Sequence, residues 1–361
     1  MKQELEKLCT DFIANRDTVR DAFRWENSAV YATCANLFCA GGQIADKDRL
    51  AECRKIISKQ MGLFSKFKGQ LAPILSCILA LDDHPQERMA LAIDDYRLLK
   101  QSLKDSEYLA LIAFLLPETE DKSVLAEKIA RGKALFRRMD KEHPFLTNDS
   151  DSVFAVTLAF SGKTDDALME DMESFYQTLK TRFSNGAAQT AAQILAAVDG
   201  RPEEKAQRLI GLYDALREAK IDYGQSGELA PLAALSLTVL PLPTLVNEIQ
   251  EADAFLKAQK SYDSVEKEQR AMHAAMIVSN QYAGAEQVNP SAMTHALDLL
   301  IAKRQALYLS LFFNSLELVA NILGSSSEEQ TENGADETTE AQPGEGGAEE
   351  APAASGGNAH R

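Results

Sequence analysis

Internal repetition constrains this chain more than any other feature. Five segments share one helical ending: Tyr96-x-x-Leu99-Lys100, Lys133-x-x-Phe136-Arg137, Tyr176-x-x-Leu179-Lys180, Tyr213-x-x-Leu216-Arg217 and Asp253-x-x-Leu256-Lys257, at steps of 37, 43, 37 and 40 residues. Ala92, Ile129, Met172, Leu209 and Ile249 stand four residues before the opening positions. Each segment therefore carries two apolar side chains two turns apart on one helical face. A more apolar helix precedes each one, at residues 73–81, 108–116, 153–160, 191–198 and 231–239, and short breakers such as Asp82-Asp83-His84-Pro85 lie between. A hairpin of amphipathic helices cannot bury its apolar face alone, so such units stack along a shared core. The expected fold is all-α: stacked helical-hairpin repeats, α-solenoid-like, with a period of roughly 39 residues.

Four regions follow. Residues 1–62 read as N-terminal capping helices, at 5–13, 17–38 and 47–60, with Asn15 and Asp17 suited to N-cap the second. Residues 63–287 hold the repeats and a sixth apolar helix at 271–280. Residues 288–324 form a C-terminal closing helix, apolar on most sides but interrupted by Lys303, Arg304, Asn314, Glu317 and Asn321, and so unlike a membrane span. Residues 325–361 lack every large apolar residue and are expected to be a disordered acidic tail.

The nine acids and single Arg361 of that tail carry half of the net charge of −16. An acidic body argues against nucleic-acid binding and against adsorption to anionic membranes. Charged residues at Lys2, Glu4, Glu6 and Lys7 leave no apolar stretch for a secretory signal. The five cysteines, an odd number without a Cys-x-x-Cys pair, fit reduced thiols, so a cytoplasmic location is expected.

Two sets of residues are candidates for function. The loops between hairpins bring together His143, Phe145, Asp149, Asp151, Tyr223 and Glu228 along one edge. Histidine and carboxylates there suit a divalent metal or acid–base work, although Asp149 and Asp151 are equally placed to cap the following helix. The last position of the repeat is always basic, at Lys100, Arg137, Lys180, Arg217 and Lys257, which forms a column able to receive an acidic partner. Complementing the negative end of each helix is the simpler role for that column. Nucleophile, phosphate-loop and zinc motifs are absent, and no cofactor, metal ligand set or catalytic residue is assigned.

The stretches Asn15-Arg16-Asp17, Phe23-Arg24-Trp25-Glu26-Asn27, Gly62-Leu63-Phe64-Ser65, Lys141-Glu142-His143-Pro144-Phe145-Leu146-Thr147, Asp151-Ser152-Val153-Phe154-Ala155 and Gln269-Arg270-Ala271-Met272 resemble a bacterial family, domain of unknown function 4003, from about Leu5 to Tyr282. That resemblance implies a bacterial protein without an assigned activity. Two functional readings stand. The first is a non-catalytic helical-repeat protein that binds a protein or peptide partner. The alternative is a metal-dependent enzyme or small-ligand binder using the loop edge around His143.

Overall fold

The computed structural model describes residues 1–24, 28–59, 65–69, 71–116, 121–223 and 229–282. The closing helix and the acidic tail expected beyond residue 287 lie outside these, as does Glu228. Among the described residues there are fourteen α-helices and no strand. They are α1 (Gln3–Ala22), α2 (Ser28–Ala40), α3 (Lys47–Lys59), α4 (Ala72–Ala80), α5 (Pro85–Lys100), α6 (Glu107–Leu115) and α7 (Lys122–Glu142), followed by α8 (Asp151–Leu158), α9 (Asp165–Leu179), α10 (Asn185–Ala196), α11 (Pro202–Glu218), α12 (Leu229–Ser236), α13 (Leu242–Lys257) and α14 (Lys267–Tyr282).

Two kinds of helix alternate. The even-numbered helices from α4 to α12 are short and apolar, while α14 is as long as α5 or α13 and buried chiefly from Ala271 to Ser279; in α4 every residue from Pro73 to Ala80 is buried, and so is all of α12. Odd-numbered helices are longer and bury one stripe. The stripe falls where the repeat places it: Ala92, Ile129, Met172, Leu209 and Ile249 are buried, as are Leu99, Leu179, Leu216 and Leu256, and Phe136 is partly so. Even helices thus form an inner layer and odd helices an outer one.

The row of hairpins closes on itself. Each inner helix neighbours the next, from α2 through α4 and α6 to α8 and from α10 through α12 to α14, and α14 packs back on α2. Between α8 and α10 the link is made by Gln189 and Gln193 reaching Asp151. The outer helices run in the same order, and α13 packs on α1. At the seam, Lys2 Nζ pairs with the buried Glu248 at 2.7 Å, and Tyr282 donates its hydroxyl to the same carboxylate at 2.6 Å. Arg16 donates to Ser261 O at 3.1 Å and lies 4.7 Å over the Tyr262 ring. Asn280 bonds Asn36 at 2.7 Å. The helices expected to cap the row thus also join its two ends.

Two expectations need correction. The first helix does not stop before Asn15 to be restarted by an Asn15 or Asp17 cap, because α1 runs unbroken to Ala22. Asn15 is fully buried instead; its amide donates to Gln43 O and its carbonyl accepts from Ala45 N, tying down the chain that leaves α2. The hairpin also has a different phase: each outer helix from α3 on packs more extensively on the inner helix after it than on any inner helix before it. Cations on the outer helices show why. Arg49 reaches Asp82 O, Arg88 reaches Phe114 O, Arg131 reaches Ala159 O and Ser161 O, and Arg208 reaches Ser236 O and Thr238 O. Each satisfies orphan carbonyls at the negative end of the following inner helix.

Candidate functional site

The loop between α7 and α8 is built by local hydrogen bonds. His143 ends α7, and its carbonyl accepts from Leu146 N and Thr147 N in a single turn around Pro144. Asn148 Oδ1 then accepts from Ser150 N and Ser150 Oγ. The turn leaves Phe145 99% exposed while Leu146 packs on the core. A fully exposed aromatic side chain is the costliest kind to leave in water.

Beneath this loop, α7, α9 and α10 line a half-open cavity of about 20 Å3. Met139 and His143 come from one face of α7; Met169, Met172, Glu173 and Tyr176 come from one face of α9. Gln189 and Gln193, four residues apart, come from α10, and Thr147 closes it from the loop. His143 Nε2 lies 2.8 Å from Glu173 Oε2, and its ring meets Tyr176 edge-on at 4.6 Å. An ionised carboxylate only accepts, so Nε2 carries the proton. Burial works to raise the Glu173 pKa, but hydrogen bonds from Gln177 and His143 outweigh it and hold the carboxyl below its usual value.

Asp151 stands behind this wall. It is 5% exposed, and burial drives its pKa up while bonds from Gln193, Asn148 N and Gln189 pull it back. Its Oδ1 accepts from Gln193 Nε2 at 2.6 Å and from Gln189 Nε2 at 3.3 Å. Those bonds fix both amides, because a carboxylate takes the NH2 side and not the oxygen. Gln189 Oε1, Gln193 Oε1 and Thr147 Oγ1 are left buried without a hydrogen-bond partner.

The structure separates the residues of the expected loop edge. His143 and Phe145 share the loop and Asp151 supports it from behind. Asp149 turns away to pair with Lys104 at 3.0 Å. Neither aspartate caps α8, whose N-cap is Ser150. Tyr223 is buried on the distant loop after α11 and does not line the cavity. Of the basic column, Lys100, Lys180 and Arg217 lie over the tyrosines four residues earlier, Tyr96, Tyr176 and Tyr213, and Lys100 also pairs with Asp105. Arg137 and Lys257 are exposed. Sequence reasoning missed Glu173, Gln189 and Gln193. Two glutamines on one face of the alanine-rich α10 were the available signal, since uncharged polar side chains in a buried helix need partners.

Among the described residues no three His, Cys, Asp or Glu side chains converge as metal ligands, and no helix is long and apolar enough to cross a membrane. All five cysteines are buried and unpaired, and burial pushes the thiols of Cys9 and Cys39 up to about 12. No curated protein and no solved structure matches the chain. The profile of one family, described as protein of unknown function (DUF4003), matches residues 15–306, more than half of the chain. The chain belongs to the DUF4003 family of proteins of unknown function.

Proposed function

We propose that this is a non-catalytic helical-repeat protein that binds a protein or peptide partner at the rim around His143 and Phe145. The observation that carries the reading is Phe145, 99% exposed on a loop of hydrogen-bonded turns beside a cavity. Aromatic anchors of this kind dominate binding energy, and a rigid loop presents one at low entropic cost. Buried, weakly acidic thiols suit a reducing bacterial cytoplasm, and the acidic charge disfavours nucleic acid and anionic membranes as partners.

Replacing Phe145 with a photo-crosslinking phenylalanine analogue in the native host tests this. Irradiation is expected to give one discrete heavier adduct, and the same analogue at the exposed Val124, on the outer helix α7, is expected to give none. No adduct at 145, or the same adducts from both positions, would overturn the reading.

A further inference from the structure

We infer that the outward row of cations on α7, Lys133, Arg137 and Lys141, together with Phe145 at its end, is a docking surface for an acidic helical segment of a partner protein. The inference deepens the binding reading above and rests on it for Phe145 as the anchor.

Four observations carry it. First, α7 concentrates positive charge: it holds seven lysines and arginines and three acids, Glu127, Asp140 and Glu142, in a chain of net charge −16. Second, the neighbouring helices neutralise only its flanks. Lys122 pairs with Asp95 of α5, and Arg131 and Arg138 pair with Asp165 and Asp166 at the start of α9. Lys133, Arg137 and Lys141 take part in no ion pair or hydrogen bond among the described residues; Arg137 and Lys141 are exposed and Lys133 is half-buried. Third, the three stand four residues apart, so they share one face over about 12 Å of helix, where like charges repel one another. An opposed row of carboxylates relieves that repulsion, and a helix supplies it at the same four-residue spacing. Fourth, the track is low and ends in the anchor. Ala130 and Ala134 are exposed beside the cations, and Phe145, 99% exposed, follows Lys141 by four residues. A partner therefore meets charge along α7, which orients it, and an aromatic contact at the end, which holds it. The chain's own residues 325–361 are acidic but carry no large apolar side chain to meet Phe145, which makes the occupant a separate chain.

The test uses the full chain and labelled peptides read by fluorescence anisotropy. The probe is an alanine-based helical peptide with three glutamates at four-residue spacing and a leucine at each end. One control peptide has glutamine for each glutamate, another has alanine for each leucine, and oligo-uridylate serves as a nucleic-acid probe. The expected result is saturable binding of the first peptide. It should weaken at least tenfold with either control peptide, in the triple variant Lys133→Ala/Arg137→Ala/Lys141→Ala and in Phe145→Ala. Alanine favours helix, so the triple variant keeps α7, which unchanged circular dichroism verifies; Arg137→Gln, a single exposed change, should still weaken binding about threefold. Lys55→Ala/Lys59→Ala, which removes two exposed cations from α3, should leave binding within about twofold. Equal binding of the glutamine peptide, an equal loss in the α3 variant, or no saturable binding would overturn the inference. So would oligo-uridylate binding as tightly through the same three cations, which would reassign the row to nucleic acid.

The photo-crosslink at position 145 separates this inference from the reading it rests on. An adduct that disappears when Lys133, Arg137 and Lys141 are also replaced by alanine supports both. An adduct that persists at full yield in that background, with no binding of the glutamate peptide, rejects the acidic partner and keeps the partner-binding reading.

Discussion

Acidification is expected to weaken the ring at its seam through a single residue, His273. This side chain belongs to α14 and is 4% exposed, with Nδ1 3.1 Å from the Tyr262 hydroxyl and its ring 5.8 Å from that of Phe12 on α1. Burial, aided by the nearby Arg16 charge, pushes its pKa down from 6.5 to about 3. Between those values the unfolded chain holds a proton that the folded chain refuses. Stability from this residue is therefore complete above pH 6.5 and is lost as pH falls toward 3. Each full pH unit in that window costs about 1.4 kcal/mol, so going from pH 7.5 to 4.5 removes about 2.7 kcal/mol. That is a large fraction of the stability of an ordinary domain. Urea unfolding of the wild type and of His273→Gln at pH 7.5, 6.5, 5.5 and 4.5 isolates the histidine's contribution, because the carboxylates and every other titrating group contribute to both curves. The wild-type advantage should shrink with a slope approaching one proton per unit. A difference that stays flat from pH 7.5 to 4.5 would refute the assignment of a neutral, buried histidine.

Two further predictions concern the packing. Leu216→Ala should cost about 2 to 5 kcal/mol, since Leu216 is fully buried, whereas Arg217→Ala, an exposed cation over Tyr213, should cost under about 1 kcal/mol; equal urea midpoints for the two variants would contradict the repeat register. Gly132→Ala on α7 should destabilise despite the better helix propensity of alanine, because the added methyl would sit 2.8 Å from Val156 Cα; a raised melting temperature would show that α7 and α8 are not so closely packed.

The sequence by itself determined the helical class and the buried face of the outer helices from α5 to α13. Both are written in short-range spacing. Leu99, Leu179, Leu216 and Leu256 recur because an α-helix returns to the same face every three to four residues, and their burial needs no knowledge of the partner. The resemblance carried by the short motifs around Asn15, His143 and Gln269 likewise needed no structure, and the family match over residues 15–306 bears it out.

Only the tertiary structure decided what lies far apart in sequence. Closure depends on the rotation accumulated from one hairpin to the next, a quantity that no residue pattern states. It brings Lys2 to Glu248 and Asn36 to Asn280, pairs more than 240 residues apart. The phase of the hairpin also lay outside the pattern, because the same alternation of inner and outer helices can be cut in two ways and long-range bonds such as Arg131 to Ala159 O choose between them. Asp151 shows the same limit. As a residue at a helix start it reads as a cap, and only the arrival of α10 at its side, with Gln189 and Gln193 bonded to it, turns it into a buried link between α8 and α10.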